Sequence, residues 1–470
     1  MAPKVLRCYA CRFMKLKLCL VCALLVVVAL AGPRLRAQDA DEAIAKLPAR
    51  TSPAWLESGV IYQIFVRSFS QPGDLNGVTA RLDDLRKLNV NILWLMPIHP
   101  DGQLRKKGSL GSPYAVRDYY AIDPALGTKD DLHRLVEEAH KRQMKVIIDI
   151  VANHTAWDSV MMTHPEFYKK DAQGHITYPH DWTDVAWLDY SNPALRKYMI
   201  DMLVYWIKDF DLDGFRCDAA AEVPTDFWEQ SRAALEKVKP DIVLLAEADK
   251  PELLKSAFDI DYSWPLMHTL NDVIMNGEPA TAVEKTIEEQ RALFPKGALH
   301  MRMSDDHDEL RATTRYSYPG AIAASALMFT LDGVPLIYNG MEVGDSTQSS
   351  DPALFEPQKI FWQAATWHPD YPKFYAAIAG MRRTHPALEQ GDLIWVHNSD
   401  ERHVVTYMRR TRTEEFFVAV NLSNTPFRGS VEADAGTWKE VELPGAKPEP
   451  TAIPFVSLDA FGARIFEKAQ

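Results

Sequence analysis

Residues 213–222 read Asp-Gly-Phe-Arg-Cys-Asp-Ala-Ala-Ala-Glu, a short run that closes on a carboxylate with a guanidinium two residues before it. Side chains alternate across a strand, so Arg216 and Asp218 share one face while Phe215 and Cys217 share the other. A neighbouring cation favours the ionised carboxylate, which is the form a nucleophile needs. The same pairing also serves plain stability, and the other strand ends decide between the two. Three further places carry comparable chemistry: Asp149 followed by Asn153 and His154, Glu247 after an apolar run, and Asp305-Asp306-His307-Asp308.

Groups so far apart in the chain can act together only if a scaffold brings them to one end. Apolar runs of strand length occur at 60–66, 92–97, 145–150, 214–218, 242–246, 258–260, 299–303 and 334–338. Helical spacing separates them at 75–88, 130–142, 193–210, 225–238, 280–293 and 319–330. Short apolar strands alternating with helices are parallel βαβ units, and about eight of them over roughly 280 residues make a (β/α)8 TIM barrel, an α/β fold. The expected barrel spans 55–388. Residues 155–190 break the alternation with His, Asp, Trp and Pro and read as a short inserted subdomain after strand 3. From 390 to 470 only alternating strands with turns remain, which predicts a C-terminal all-β sandwich domain.

Catalytic groups of such a barrel lie where its strands end. The third strand then offers Asp149, Asn153 and His154, the fourth Arg216 and Asp218, the fifth Glu247, and the seventh Asp305 to Asp308. Acids at the ends of separate strands of one barrel crowd like charge, for which structural reasons are few. Two carboxyls flanking one bond, one ionised and one protonated, form the arrangement that cleaves glycosidic bonds.

The ordered pieces are similar to the α-amylase family of glycoside hydrolases (family 13). They begin at Val60-Ile61-Tyr62-Gln63-Ile64-Phe65 and Gly73-Asp74-Leu75-Asn76-Gly77 and continue through Asp149 to His154 and Gly214 to Asp218. Glu247, then Asp306-His307-Asp308, and Pro335 to Glu342 on the eighth strand follow. The resemblance implies a retaining hydrolase of α-1,4-glucosidic bonds in starch, glycogen or maltooligosaccharides. Asp218 would be the nucleophile oriented by Arg216, Glu247 the general acid/base, and Asp308 the group that stabilises the transition state. His154 and His307 would hydrogen-bond the sugar, Tyr114 would stack on its ring, and Arg216 would lie with these three among the substrate-binding residues. The chemistry needs no cofactor.

Departures from the family pattern also stand out. Asp306 takes the place of an asparagine, Ala115 follows Tyr114 where many members carry aspartate, and Ala221-Glu222 replaces Lys-His. Asn153 and Asp189 match calcium-ligand positions, and oxygen ligands suit that ion, so a structural calcium clamping the insertion to the barrel is a further implication. The same acids also serve transglycosylases, oligo-1,6-glucosidases and sucrose- or trehalose-acting relatives, while a non-catalytic sugar-binding protein would have lost a carboxylate.

The 470 residues carry a formal charge of −12, with twelve Trp and seventeen Tyr whose flat faces suit stacking on sugars. Residues 1–37 hold seven Lys and Arg and no acid, so without them the charge deepens to −19. Such a surface argues against nucleic acid or an anionic membrane as partner. Basic residues followed by the apolar run 18–31 and a small residue, Ala37, read as a secretory signal peptide, with Met14 as an alternative start. The expected product is secreted or periplasmic, with no membrane contact beyond that segment. Cys8, Cys11, Cys19 and Cys22 lie in the leader, the second pair inside the apolar run, which argues against zinc. Only Cys217 remains beyond it, so the mature chain cannot form an internal disulfide.

Overall fold

Eight parallel strands close on themselves because each is apolar on both faces and needs cover inside and out. The computed structural model describes residues 43–347, 349–434, 436–445 and 453–469, so the signal-peptide segment lies outside the described residues. The strands are β1 (Ile61–Ile64), β2 (Ile92–Leu95) and β3 (Lys145–Val151), then β4 (His154–Ala156) and β5 (Val185–Trp187) of the insertion. The barrel resumes with β6 (Gly214–Asp218), β7 (Val243–Ala246), β8 (Ile260–Tyr262), β9 (Leu299–Arg302) and β10 (Val334–Tyr338). Their order around the closed sheet is β1-β10-β9-β8-β7-β6-β3-β2, while β4 and β5 pair apart from it.

Alternation sorts the side chains. Ile61, Ile92, Trp94, Ile147, Leu245 and Met301 fill the lumen, and Leu93, Val146, Ile148, Phe215 and Leu244 face the surrounding helices. Those helices include α1 (Lys129–Lys141), α2 (Pro193–Phe210), α3 (Thr225–Leu235), α4 (Trp264–Asn276), α5 (Thr281–Leu293), α6 (Ala312–Thr330) and α7 (Asp370–Thr384). Their starts follow local chemistry: Thr128 and Asp131 form a capping box on α1, and Asn192 caps α2 with Pro193 in its first turn.

The architecture is the expected barrel with a short insertion and a C-terminal β domain, and the differences are local. The spacing at 75–88 predicts one helix, but two short ones form, Leu75–Thr79 and Leu82–Lys87. Between them Arg81 turns its guanidinium over Trp362, 3.7 Å from the ring centroid. The apolar run at 258–260 predicts a strand that the structure forms two residues later, as β8. Asp259 is drawn off below the strand, where it pairs with Arg50 and Arg232 and accepts the Leu244 N–H. Helix α6 begins at Ala312, seven residues before the predicted start, and is kinked at Ser317 (φ 65°) just ahead of Pro319. Helices α4 and α7 are not among the helices expected, although α4 buries Leu266, Met267, Leu270 and Val273 along one face.

The C-terminal strands are β11 (Asp392–Trp395), β12 (Val404–Arg410), β13 (Glu415–Asn421), β14 (Phe427–Ser430), β15 (Trp438–Glu440), β16 (Phe455–Leu458) and β17 (Ala463–Lys468). They form a five-stranded sheet, β11-β12-β13-β17-β15, and a pair, β14-β16. Met408, Phe417, Phe427, Val456 and Phe466 pack between the two. Tyr407, Phe416, Val418 and Ile465, on the other face of the large sheet, join the core of the barrel.

Candidate active site

Register places the central groups. Asp149 on β3 is the ladder partner of Arg216 on β6, and Val151 that of Asp218, so Asp149, Arg216 and Asp218 all point into the carboxyl end of the barrel. Gly214 allows it: a Cβ there would lie 2.0 Å from the Val243 carbonyl oxygen on β7.

Arg216 is wholly buried, at 0 % exposure, among carboxylates. Its Nη1 lies 2.9 Å from Asp149 Oδ1 and 3.1 Å from Asp218 Oδ1, and its Nη2 lies 3.0 Å from Glu247 Oε2. Nε donates to the Tyr262 hydroxyl at 3.2 Å. The rings of Trp94, Tyr114 and Tyr262 wall the guanidinium at 5.3, 5.6 and 5.6 Å. One planar cation thus holds the carboxylates of three strand ends in a single cluster, which a lysine could not do. The resemblance groups Arg216 with sugar-binding residues, but its burial reserves its hydrogen bonds for these carboxylates and a phenol.

Asp218 and Glu247 differ in surroundings. Burial pushes the Asp218 carboxyl up from its ordinary value, while Arg216 and a hydrogen bond from Glu247 oppose that rise. Burial pushes Glu247 up as well, against Arg216, and the Asp218 charge adds to the rise. The Asp218 charge thus raises Glu247 while the bond from Glu247 lowers Asp218, directions that suit an acid beside a nucleophile. Ala219, left-handed at φ 43°, aims its N–H at Glu247 Oε2 at 2.7 Å. The Glu247 side chain is 22 % exposed and the Asp308 side chain 37 %, so both open onto the cleft. Burial and the charges of Asp306 and Glu247 raise Asp308 too, and its contact with solvent tempers the rise.

The neutral groups form a relay. Gln63 Nε2 lies 2.8 Å from His307 Nδ1, His307 Nε2 lies 2.6 Å from the Tyr114 hydroxyl, and that hydroxyl donates to Asp149 Oδ2 at 3.2 Å. With Gln63 donating, His307 carries its proton on Nε2 and stays neutral, as its burial requires. Tyr114 stacks on His307, ring centroids 5.4 Å apart. His154 Nε2 stands 4.0 Å from Asp218 Oδ2, and burial lowers its pKa to about 4.

Asp218, Glu247, Asp308, Tyr114, His154, Arg216 and His307 therefore converge on one mouth. Gln63, Trp94 and Tyr262 carry no site signal in the sequence: Gln63 and Trp94 are buried strand residues like their neighbours, and Tyr262 falls outside the strand the periodicity places at 258–260. Asp149, expected at the end of the third strand, lies within β3 and meets Arg216 there.

Asn153 and Asp189 each give one oxygen to a donor of the chain itself. Asn153 Oδ1 accepts the Trp187 indole N–H at 3.0 Å, and Asp189 Oδ1 accepts the Ser191 N–H at 3.0 Å. The positive charge in this region is the Lys169 ammonium, 3.3 Å from the Trp187 ring centroid and attracted by Asp189 and Glu222. Among the described residues, the one cluster of acids and histidines close enough to share a metal ion is Asp306, His307 and Asp308, which belongs to the mouth itself.

Acids gathered by one arginine at the carboxyl end of a parallel barrel are placed as cleavage of a glycosidic bond requires. The chain belongs to the α-amylase family, whose catalytic-domain model matches residues 39–377. Alpha-amylase MalA of Haloarcula japonica is 30% identical over 414 residues, covering 82% of this chain and 58% of that protein. The chain thus spans little more than half the length of that relative. The crystal structure of a maltogenic alpha-amylase from Thermotoga neapolitana superposes with a TM-score of 0.79 at 30% identity, covering 88% of this chain and 99% of that one. An alpha-amylase from Lactobacillus plantarum gives 0.80 at 31%, covering 89% and 100%.

Proposed function

We propose that the protein is a retaining α-glucan hydrolase that cuts α-1,4-glucosidic bonds of starch, glycogen or maltooligosaccharides by double displacement. The observation that carries this reading is the single guanidinium touching Asp149, Asp218 and Glu247 at once. It holds two carboxyls beside each other, and retaining chemistry needs one ionised and one protonated acid at close range.

In the first step Asp218 attacks the anomeric carbon while Glu247 gives its proton to the leaving glycosidic oxygen. Asp218 has then lost its charge to a covalent bond, and Glu247, now ionised, takes a proton from the water that releases the sugar. Asp308, open to the cleft, faces the sugar hydroxyls as positive charge develops on the ring. His154 donates to the same sugar, and the Tyr114 and His307 rings flank it. Arg216 touches no sugar and acts by keeping the acids in place. The relatives named above, described as alpha-amylases and a maltogenic alpha-amylase, support an α-glucan as substrate.

Asp218→Asn and Glu247→Gln keep the shape of each side chain and remove its role, so each is expected to lower kcat on maltotriose or soluble starch by about a thousandfold or more. Melting curves and circular dichroism should match the parent. Proton NMR of fresh products should show the α anomer first. Turnover near that of the parent in either variant, or β products, would refute the mechanism.

A further inference from the structure

Behind Tyr114 and His307 the mouth is fenced by loops tied to one another. The loop leaving β2 doubles back, with Asp101 bridged to Val116 and the Gly102 N–H donating to the Ala115 carbonyl at 2.8 Å. Its tip is fastened on two sides. Towards the loop after β10, Ser109 donates from N and Oγ to the two Glu356 carboxylate oxygens at 3.0 and 2.6 Å, and the Leu110 N–H donates to the Phe355 carbonyl at 2.9 Å. Towards the insertion, the Gln103 N–H donates to Asp158 at 3.0 Å, Lys107 pairs with Asp184 at 3.0 Å, and Arg105 lies over Trp157 at 4.0 Å. Gly108 shows how closely the loops seat: a Cβ there would stand 2.4 Å from the Phe355 Cβ. The loop after β10 is itself tied to the catalytic loop, since the Ser350 N–H donates to the His307 carbonyl at 3.1 Å.

The chemistry fixes which side of the substrate this rim meets. Glu247 has to face the glycosidic oxygen, so it marks the leaving-group side. Tyr114, His307 and Asp308 surround the sugar that becomes bonded to Asp218. The rim joins the loop that carries Tyr114 to the segment bonded to His307, so it borders that sugar on the side these two residues occupy. On the leaving-group side the insertion meets the loop after β6 through the exposed pair His180 and Glu222, 3.7 Å apart, a far looser tie.

We propose that the tied loops make the cleft a pocket closed behind the donor sugar, so that the enzyme works from free non-reducing ends of linear α-1,4 glucans and not within long chains. The inference rests on the hydrolase reading and adds the direction and end-dependence of attack. Ser109 and Glu356 are its specificity-determining residues.

The test compares maltoheptaose with the same heptaose capped at its non-reducing end by a 4,6-O-ethylidene group. The parent enzyme is expected to cut the free sugar and to show kcat/KM lower by about a hundredfold or more on the capped one, the scale on which a pocket rejects a group it cannot seat. Ser109→Ala combined with Glu356→Ala loosens the rim and should raise the capped-to-free ratio by about tenfold. Equal rates on the two sugars with the parent enzyme overturn the pocket and leave the hydrolase reading standing. An unchanged ratio in a folded rim variant overturns the role given to these ties. Failure to cut either sugar overturns the hydrolase reading and the pocket with it.

Discussion

Asp306 stands where the family carries asparagine, and its surroundings show what the exchange does. Oδ1 accepts the backbone N–H of Asp308 and of Glu309, both at 3.1 Å, and so shapes the turn that presents Asp308. Oδ2 is buried without a partner. Burial, with the charges of Asp305 and Glu309 against that of Arg315, pushes the carboxyl up to about 7. An unfolded aspartate loses its proton near pH ~3.9. Between that value and about 7 the unfolded chain has released the proton while the folded one retains it, so this group lowers folding stability as pH rises through the window. An asparagine at this position would keep the oxygen acceptor and never ionise. Asp306→Asn is therefore expected to raise Tm clearly at pH 8 and much less at pH 5, and a larger gain at pH 5 would reverse the argument. At this scale Asp218, Glu247 and Asp308 were legible because each closes or follows an apolar strand, where a carboxylate is out of place. Asp149 was legible as a strand-end acid but its hold on Arg216 was not, and Gln63 was not legible at all, because their partners come from other strands and periodicity within one strand cannot name them.

Among the elements, the insertion shows how a junction can be held by the chain's own cation. The Tyr168–Leu188 bridge and the Lys169 N–H to Trp187 carbonyl bond at 2.9 Å align two segments of the insertion. Trp187 then joins them to the barrel through Asn153 at the end of β3, with Lys169 covering the indole. Chelation with EDTA is accordingly expected to leave Tm unchanged. Lys169→Met, which keeps the stem and removes the charge, should lower stability by about 1 kcal/mol, the scale of a cation–π contact. A fall in Tm on chelation, or stoichiometric calcium by elemental analysis, would count against the lysine. The shift of β8 has the same kind of cause. The apolar run at 258–260 looks like a strand by itself, but Asp259 pairs with Arg50 and Arg232 from distant segments and moves the start of pairing to Ile260. Strand existence follows from hydrophobicity, whereas strand register follows from partners outside the window.

Over the whole molecule the two ends of the barrel have separate duties. The carboxyl ends of the strands carry the acids, and the opposite end is where the β domain attaches. Arg409 on β12, buried to 0 %, donates to the carbonyls of Thr330 at 2.9 Å and Gly391 at 3.0 Å. Beside it the Tyr407 and Thr330 hydroxyls lie 2.5 Å apart, and Arg382 on α7 donates to the Gly333 carbonyl just before β10 at 2.5 Å. These bonds satisfy the end of α6 and the turn into β10, carbonyls that would otherwise be buried without donors. A two-part fold was readable from the change in periodicity near residue 390, but this joint was not, because its acceptors are backbone atoms that leave no trace in residue type. Arg409→Met keeps most of the apolar stem and removes both donations, which should cost about 2–3 kcal/mol by leaving buried carbonyls unpaired. Because Tyr407, Phe416 and Ile465 share one core with the barrel, the loss should lower a single melting transition by roughly 3 °C and not split it in two. The change lies at the end of the barrel away from Asp218 and Glu247, so kcat/KM at 25 °C should stay at the parent value. Calorimetry resolving two transitions, with the barrel melting where the parent does, would show instead that the β domain is an independent unit and that its arginine holds nothing the catalytic end depends on.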